Sequence, residues 1–357
     1  MTKIYFYHMV PIRKFYEEWK KGFFPGHLLY GLTHLEKYGL IPVYHSIPFN
    51  PYKGRFRLMC YNLMSILFSK ESFEAIYAVT HVGLELIILL RALGLYKKPI
   101  FVWHHTAVSI PENVFIKALS GLFYKGIDKL FFFSKPLLEQ SLKTGKVRKE
   151  DAFVIHWGPD LDFYDKLIKE RIPEGKLIST GREKRDFITL IHALNKTGMP
   201  GDIYTTVHGV HIDYGEVLKE ELKTMKPNVH LSFVDASHYD MARIANNAYV
   251  IAISCLDFPY TVGLTSLVEA MGLGLPVITT DNPAFPIDAE REETGIKVSY
   301  GNEEAWIKAI DYLQSHPERG AEMGKNARKL AEKEYNLDIC TEEIATVLKS
   351  AFHRRSK

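Results

Sequence analysis

Short apolar segments rich in β-branched and aromatic residues recur along the chain, and stretches with helical spacing separate most of them. Such runs predict buried strands, whereas apolar residues three or four positions apart predict helices. In the first half we predict strands at 4–8, 41–45, 75–79, 100–104, 129–133 and 152–156, and helices at about 26–38, 57–69, 83–95, 113–126 and 135–144.

The second half repeats this rhythm, and its predicted elements are strands at 176–180, 202–207, 229–234, 248–254 and 276–280 and helices at 302–314, 317–333 and 337–352. Strand–helix alternation is typical of α/β domains built on a parallel sheet. The stretch 157–176 interrupts it, with Pro159, Pro173 and Gly175 and no strand period. We therefore predict two doubly wound, Rossmann-like domains, 1–165 and 166–336, with a C-terminal helix 337–357 completing the first.

Doubly wound domains bind ligands at the carboxyl ends of their strands, where the strand order switches. Two such domains are expected to face each other across a cleft. One would then hold a nucleotide and the other a second substrate.

Composition restricts the class of protein further. The 357 residues are 46% hydrophobic and 24% charged, as in a folded globular protein. Three scattered cysteines, Cys60, Cys255 and Cys340, form no CxxC pair, so neither a disulfide framework nor a structural zinc is expected. The first 20 residues lack the apolar core of a secretory signal, and no apolar run is long enough to span a bilayer. We expect a cytoplasmic location.

The net charge of +3 hides an asymmetry, because residues 1–170 hold 23 Lys and Arg against 15 Asp and Glu. Basic and aromatic residues alternate at 13–24 and again at 53–59. Such mixtures suit an anionic membrane interface, although a solvated face over the core has the same composition. We expect peripheral membrane contact through the first domain. We do not expect nucleic acid as a partner, because only a weak excess of basic residues favours it.

The segment 261–279, TVGLTSLVEAMGLGLPVIT, suggests specific chemistry. Gly263 opens a predicted helix, and backbone N–H groups at the start of a helix favour phosphate. Glu269 lies within that otherwise apolar helix, where its carboxylate could reach ribose hydroxyls. The pattern predicts a nucleotide site.

Four blocks of the second half resemble retaining glycosyltransferases of the GT-B fold, in the family-4-like group that uses nucleotide-sugar donors. The blocks are VIHWGPDLDFY (154–164), LISTGREKRDFITLIHAL (177–194), 228–254 and GLTSLVEAMGLGLPVITTD (263–281). The resemblance implies transfer of a hexose with retention, forming an α-glycoside, from a UDP-sugar such as UDP-glucose or UDP-galactose. It also implies no metal and no cofactor.

One position departs from that family. Its members pair two glutamates eight positions apart, and Thr261 stands where the first would be. Asp257, a few residues upstream, is a candidate to replace that glutamate. The sequence GLT at 263–265 resembles a Gly-x-Thr variant of the family's phosphate segment. The identity of the sugar therefore stays open.

Cationic residues follow a predicted strand in TGREKRD, which contains Gly181, Arg182 and Arg185. Glycosyl transfer expels a nucleoside diphosphate, and preorganised cations stabilise that growing charge. We assign Arg182 and Arg185 to catalysis and donor binding, with Lys184 as an alternative to Arg185; a solvated turn is the other interpretation. Donor contacts are also expected from Gly181, Thr261, Gly263, Leu264, Thr265 and Glu269.

Histidines at the end of the strand 100–104 complete the predicted site. The resemblance implies a histidine facing the donor sugar, and we prefer His105 for it because Thr106 follows. His104 and His27 are predicted to contact the acceptor, and His8 is a weaker candidate. A hydrogen-bonded edge residue is the alternative for each.

The leading hypothesis is a transferase that moves a hexose to a hydroxyl of a membrane lipid or lipid-linked glycan. The alternatives are a nucleotide-sugar epimerase of the same fold and a non-catalytic sugar-nucleotide-binding protein, which Thr261 favours. A nicotinamide dehydrogenase is not expected, because no predicted strand is followed by GxGxxG.

Overall fold

The computed structural model describes residues 1–209 and 212–353 of the chain. They form two compact units, one of Met1–Gly22, Gly26–Trp157 and the helix from Leu337 onward, the other of Phe23–Pro25 and Gly158–Asn336. The division after Trp157 precedes the boundary predicted after residue 165. The end of the predicted C-terminal helix, 354–357, lies outside the described residues.

The first unit is built on a six-stranded parallel sheet with the order β2-β1-β3-β4-β5-β6. Its strands are β1 (Thr2–Tyr7), β2 (Leu40–Tyr44), β3 (Ala75–Ala78), β4 (Ile100–Trp103), β5 (Lys129–Phe132) and β6 (Ala152–Val154), and its first helices are α1 (Ile12–Lys20), α2 (Arg55–Leu67), α3 (Glu85–Ala92), α4 (Val114–Lys125) and α5 (Lys135–Leu142). Every residue of β3, β4 and β5 is buried, as in strands with both faces covered.

The helix predicted at 26–38 is instead two 3₁₀ helices, Gly26–Leu29 and Leu32–Tyr38. Between them Tyr30 and Gly31 have φ angles of 51° and 81°, which an α-helix does not contain. A Cβ at Gly31 would lie 3.1 Å from Thr341 Oγ1, so the C-terminal helix approaches the backbone closely at this break. The segment is thus divided at a packing contact with a residue about 310 positions further along the chain, which the local sequence does not reveal.

The second unit contains a six-stranded parallel sheet with the order β11-β8-β7-β12-β13-β14 and a two-stranded antiparallel pair. Its strands are β7 (Leu177–Thr180), β8 (Gly201–Thr205), β9 (His208–Gly209), β10 (Ile212–Asp213), β11 (Val229–Phe233), β12 (Val250–Ile253), β13 (Val277–Thr280) and β14 (Gly295–Val298). The helices are α6 (Leu161–Ile168), α7 (Phe187–Thr197), α8 (Tyr214–Val217), α9 (Glu221–Thr224), α10 (His238–Asn246), α11 (Leu264–Leu273), α12 (Glu303–Ser315) and α13 (Pro317–Lys333). The last helix of the chain, α14 (Leu337–His353), belongs to the first unit.

The prediction of two Rossmann-like α/β domains is confirmed, since each unit has a parallel sheet whose crossovers contain helices. Among the described residues, no helix combines the length and apolar character that crossing a bilayer requires. The predicted site residues of the second unit lie at the carboxyl edge of its sheet, after β7 and β12.

Candidate active site

A glycine–arginine turn follows β7 and shapes one side of the candidate site. Gly181 has a φ of 141°, and a Cβ there would lie 2.3 Å from Nε of Arg185. Any side chain at this position would displace the guanidinium. Lys184 also has a positive φ, 47°, where its carbonyl accepts a 2.9 Å hydrogen bond from the Leu256 N–H.

Arg185 is buried and ties three segments together. Its Nε donates to the Thr180 carbonyl at 3.0 Å, its Nη2 to Ser266 Oγ at 3.1 Å, and its Nη1 to Cys255 Sγ at 3.3 Å. The predicted donor contact thus becomes a strut, because its hydrogen bonds are made within the unit. It joins the turn after β7 to the first turn of α11.

Arg182 is the exposed cation of the same turn. Its side chain makes no hydrogen bond or ion pair with any residue that the structure describes. Its positive charge assists burial in lowering the pKa of His238. By contrast, Lys184 Nζ lies over the ring of Phe258, 4.8 Å from its centroid. Arg182 is therefore the cation of the turn that is available to a ligand.

The start of α11 has no side-chain cap, which is also true of α9 and α13 but not of several other helices of the second unit. Helices α6, α7, α10 and α12 each begin with a side chain that accepts a hydrogen bond from a first-turn N–H, supplied by Asp160, Asp186, Ser237 and Asn302. Helix α11 begins at Gly263, which has no side chain to do so. Within the described residues the N–H groups of Thr265 and Ser266 have no hydrogen-bond acceptor. An uncapped helix start is suited to an anion.

Gly263 is required at this start for two reasons. Its φ of 93° is in the left-handed region, and a Cβ would lie 2.6 Å from Ile253 Cγ2 and 3.0 Å from Cys255 Sγ. The Leu264 N–H, predicted to bind phosphate, instead donates to the Thr261 carbonyl at 3.1 Å. Thr265 is exposed, so its hydroxyl and N–H are both accessible.

Glu269 lies in the second turn of α11 and is partly exposed. No described residue forms a hydrogen bond or an ion pair with its carboxylate. Burial raises its pKa to about 7, and the nearby charge of Arg185 acts in the opposite direction. A carboxylate held without a partner in an apolar helix is unfavourable in the absence of a ligand that donates to it.

Sequence reasoning missed two contacts that hold the loop before α11 in place. The Tyr260 hydroxyl donates to the Glu183 carboxylate, which connects this loop to the turn after β7. Asn282 Nδ2 donates to the Tyr260 carbonyl at 2.9 Å and holds the loop from the other side. Neither contact has a local pattern that predicts it; only the glycine that follows marks the loop as special.

The histidines after β4 have different surroundings in the first unit. His104 is buried, its Nδ1 donating to the Thr106 carbonyl at 2.6 Å and its Nε2 accepting from the Tyr124 hydroxyl at 2.9 Å. Burial lowers its pKa. Both ring nitrogens are used, so the structure gives this predicted acceptor ligand a structural role.

His105 is exposed, and its Nε2 donates to the Val79 carbonyl at 2.9 Å. Since that nitrogen carries the proton, Nδ1 of the neutral ring is an acceptor. The ring also stacks on Tyr30 with centroids 5.8 Å apart. The Nδ1 of His105 is therefore able to accept a hydrogen bond.

His27, the other predicted acceptor ligand, is fully buried. Its ring packs on Trp157 with centroids 5.3 Å apart, and its carbonyl accepts from Trp157 Nε1 at 3.0 Å. The structure makes His27 a core residue, because the 3₁₀ helix turns it inward. The weaker candidate His8 lies after β1, where burial lowers its pKa to about 3.

A family model and several solved structures resemble this chain. Residues 186–330 match the family described as "Glycosyl transferases group 1". No curated protein matches the chain. The matched residues lie within the second unit, begin just after Arg185 and include α11.

Solved structures resemble the whole chain. HepE of Anabaena in complex with UDP-glucose is 15% identical, with a TM-score of 0.67 over 98% of this chain and 100% of that one. A glycosyltransferase of Rickettsia africae is 15% identical, with a TM-score of 0.71 over 98% of both chains. Sucrose-phosphate synthase of Thermosynechococcus elongatus is 16% identical, with a TM-score of 0.67 over 88% of this chain and 84% of that one. At such identities the likeness establishes the GT-B fold.

Proposed function

We propose that this protein is a retaining glycosyltransferase that moves a hexose from a UDP-sugar to a hydroxyl of a membrane lipid or lipid-linked glycan. The observation that carries the proposal is the uncapped start of α11 beside the unpartnered Glu269 carboxylate. The N–H groups of Thr265 and Ser266 bind the diphosphate, and Glu269 accepts from ribose hydroxyls. UDP-glucose or UDP-galactose is the expected donor, and the UDP-glucose complex of the structurally similar HepE supports a uridine base.

Arg182 stabilises the diphosphate as the glycosidic bond breaks. No described residue forms an ion pair with it, so it interacts most strongly with the leaving group as negative charge develops there. Arg185 holds the turn and α11 in place. We propose that these groups provide the charge stabilisation without a metal ion, and that His105 orients the sugar through its Nδ1.

The acceptor is proposed to be a lipid because the first half of the chain is basic and carries exposed aromatic residues. On the same grounds we propose that the protein acts at the inner face of a membrane as a peripheral protein.

The direct test uses radiolabelled UDP-glucose and UDP-galactose with a bacterial or eukaryotic membrane lipid extract. Label that partitions into the organic phase, together with an α-anomeric product by NMR, supports the proposal. Label that stays in water-soluble products contradicts the lipid acceptor, and a β-anomeric product contradicts retention. Turnover that EDTA abolishes and Mg²⁺ restores contradicts the metal-free mechanism.

A second candidate is a non-catalytic sugar-nucleotide-binding protein, which Thr261 favours because related enzymes have a glutamate there. It predicts UDP-sugar binding with no transfer and no hydrolysis. The transfer assay distinguishes the two candidates, since only the enzyme consumes the donor. Titration calorimetry on the same protein verifies that a preparation without turnover still binds the UDP-sugar.

A further inference from the structure

Helix α2 of the first unit has an apolar side that faces solvent. Its buried side consists of Leu58, Asn62 and Ile66. The solvent side carries apolar residues whose exposed fractions are 73% for Phe56, 54% for Met64 and 47% for Leu67. Phe68, directly after the helix, is 72% exposed. Exposed apolar residues that occur singly are ordinary, whereas several of them on one short helix indicate a candidate interaction surface. We call Tyr52, Phe56, Met64, Leu67 and Phe68 the α2 surface.

The charges around this surface are of one sign. Residues 51–70 contain no Asp or Glu. Lys53, Arg57 and Lys70 are exposed and make no ion pair with any described residue. Arg55 is different, since it pairs with Glu85 at 2.6 Å. The apolar side chains are therefore bordered by three uncompensated cations, and no carboxylate in this stretch repels an anionic surface.

We propose that the α2 surface docks the protein on an anionic phospholipid bilayer. A helix of 13 residues is about 20 Å long, enough to lie along the bilayer interface with its apolar side chains below the headgroups. The aromatic rings of Tyr52, Phe56 and Phe68 lie near its two ends, and each nearby Lys or Arg adds attraction to anionic headgroups.

The other basic and aromatic stretch, 13–24, is less suited to this role. The rings of Tyr16 and Trp19 are only partly exposed and pack on each other, with centroids 5.4 Å apart. Trp19 also packs against His34 at 5.9 Å. These aromatic residues cover the first unit, as an ordinary amphipathic helix does, which leaves α2 as the membrane-facing element.

Helix α4 extends the same chemistry. It contains exposed Ile116 and Leu119 together with Lys117. Residues 113–127 contain no Asp or Glu. Helix α3 contacts both α2 and α4. The first unit thus has two exposed apolar and basic helices, of which α2 has the larger aromatic content.

The test is flotation of the full-length protein with vesicles of phosphatidylcholine, with and without phosphatidylglycerol, in the absence of any sugar donor. The wild-type protein is expected to float with the anionic vesicles and not with the neutral ones. The double variant F56S/F68S should weaken the partition coefficient by on the order of tenfold or more. The double variant K53Q/R57Q should weaken it by about fivefold for each charge removed.

Ile172→Ser is the matched control, because Ile172 is equally exposed, at 71%, but belongs to the second unit. It should leave flotation unchanged. All variants alter exposed side chains, so unchanged circular dichroism melting verifies that they fold. This proposal names the surface for the membrane contact of the proposed function, and donor-free flotation separates its failure from a failure of sugar transfer.

Two results would overturn the proposal. One is equal flotation of the wild type and F56S/F68S with anionic vesicles. The other is a wild-type dimer in light scattering that F56S/F68S converts to a monomer, since the α2 surface would then bind a second copy of the chain.

Discussion

The carboxyl edges of the two sheets differ sharply in chemistry although both sheets are parallel and six-stranded. In the first unit the edge collects histidines after successive strands, and burial lowers the pKa of His8, His45, His81 and His104. In the second unit it has glycine turns, an uncapped helix start, Arg182 and Glu269. One edge is therefore neutral and hydrogen-bonding, and the other is built around charge and the helix dipole.

The difference shows how one architecture provides two kinds of site. Neutral imidazoles and aromatic rings suit an uncharged, hydroxyl-bearing molecule, whereas open N–H groups and an exposed arginine suit a diphosphate. The following predictions test that contrast.

The largest effect is expected from Gly263→Val. A side chain here meets Ile253 and Cys255 and must adopt the left-handed φ of 93°, so the start of α11 is displaced. We expect UDP affinity to fall by about a hundredfold and the free energy of unfolding by about 2–4 kcal/mol. Titration calorimetry and urea unfolding measure both.

Gly198→Val is the control for backbone strain. Gly198 also has a positive φ, 70°, in the second unit, but nothing lies within 4 Å of its Cβ position. It should lose about 1 kcal/mol of stability and no UDP affinity. If both variants bind UDP alike, the role of α11 in donor binding is wrong.

Glu269→Gln is expected to weaken UDP binding by about tenfold to a hundredfold, because a charge-assisted hydrogen bond to ribose is lost. It should also stabilise the protein at pH 8. Burial raises the pKa of Glu269 from its ordinary 4.5 to about 7. As the pH rises from 4.5 to 7 the unfolded chain releases this proton first, so the free energy of unfolding falls over that window.

The stabilisation at pH 8 should be about 1–3 kcal/mol and should disappear below pH 4.5, where the carboxyl is protonated in both states. Urea unfolding at the two pH values measures it. Glu332→Gln, at an exposed position of α13, is the control and should change neither binding nor this pH dependence. An equal gain at both pH values contradicts the argument.

Substitutions of the two arginines of the turn should affect different properties, turnover for Arg182 and stability for Arg185. Arg182→Gln is expected to lower kcat/KM by about tenfold or more with stability unchanged, because the side chain is exposed and forms no hydrogen bond or ion pair with a described residue. Arg185→Gln is expected to lower the free energy of unfolding by about 2–3 kcal/mol, because Ser266 Oγ and the Thr180 carbonyl lose their donor. A stable Arg185→Gln with normal turnover would show that the strut is dispensable.

The smallest effect concerns the neutral edge of the first unit. His45 Nδ1 accepts from the Tyr5 hydroxyl at 2.7 Å and its Nε2 donates to Asn62 Oδ1 at 2.9 Å, and burial lowers its pKa to about 4. As the pH falls from 6.5 to 4 the unfolded chain takes up this proton first, so stability falls.

His45→Gln should reduce that acid sensitivity by about 1 kcal/mol, measured by urea unfolding at pH 7 and pH 4.5. His230→Gln, at an exposed position, is the control and should leave the difference between the two pH values unchanged. The pH dependence of the free energy of unfolding is opposite for His45 and Glu269. Lowering the pH reduces the contribution of His45 to stability and removes the unfavourable contribution of the Glu269 carboxylate.

Most of the fold could be predicted from the sequence. Each predicted strand overlaps an observed one, because runs such as IFVW and VIAI are buried on both faces and need no alternation to be recognised. The segment 26–38 could not, because Gly31 and Thr341 meet only after the C-terminal helix has returned to the first unit.

The candidate site divides in the same way. Gly263, Thr265 and Glu269 were predicted from one segment because a helix start and its second turn are local features. Arg185 and His27 were predicted to contact ligand, yet the fold buries both, since their partners Ser266 and Trp157 are distant in the chain.

The sequence by itself determined the alternation of strands and helices, the glycine before α11 and the types of residue that the site contains, because all of these depend on neighbours within a few positions. Only the tertiary structure decided which of two arginines faces solvent, which histidine keeps an acceptor nitrogen and which side of α2 stays uncovered. Burial and hydrogen-bond partners come from segments brought together by packing, and spacing along one segment does not encode them.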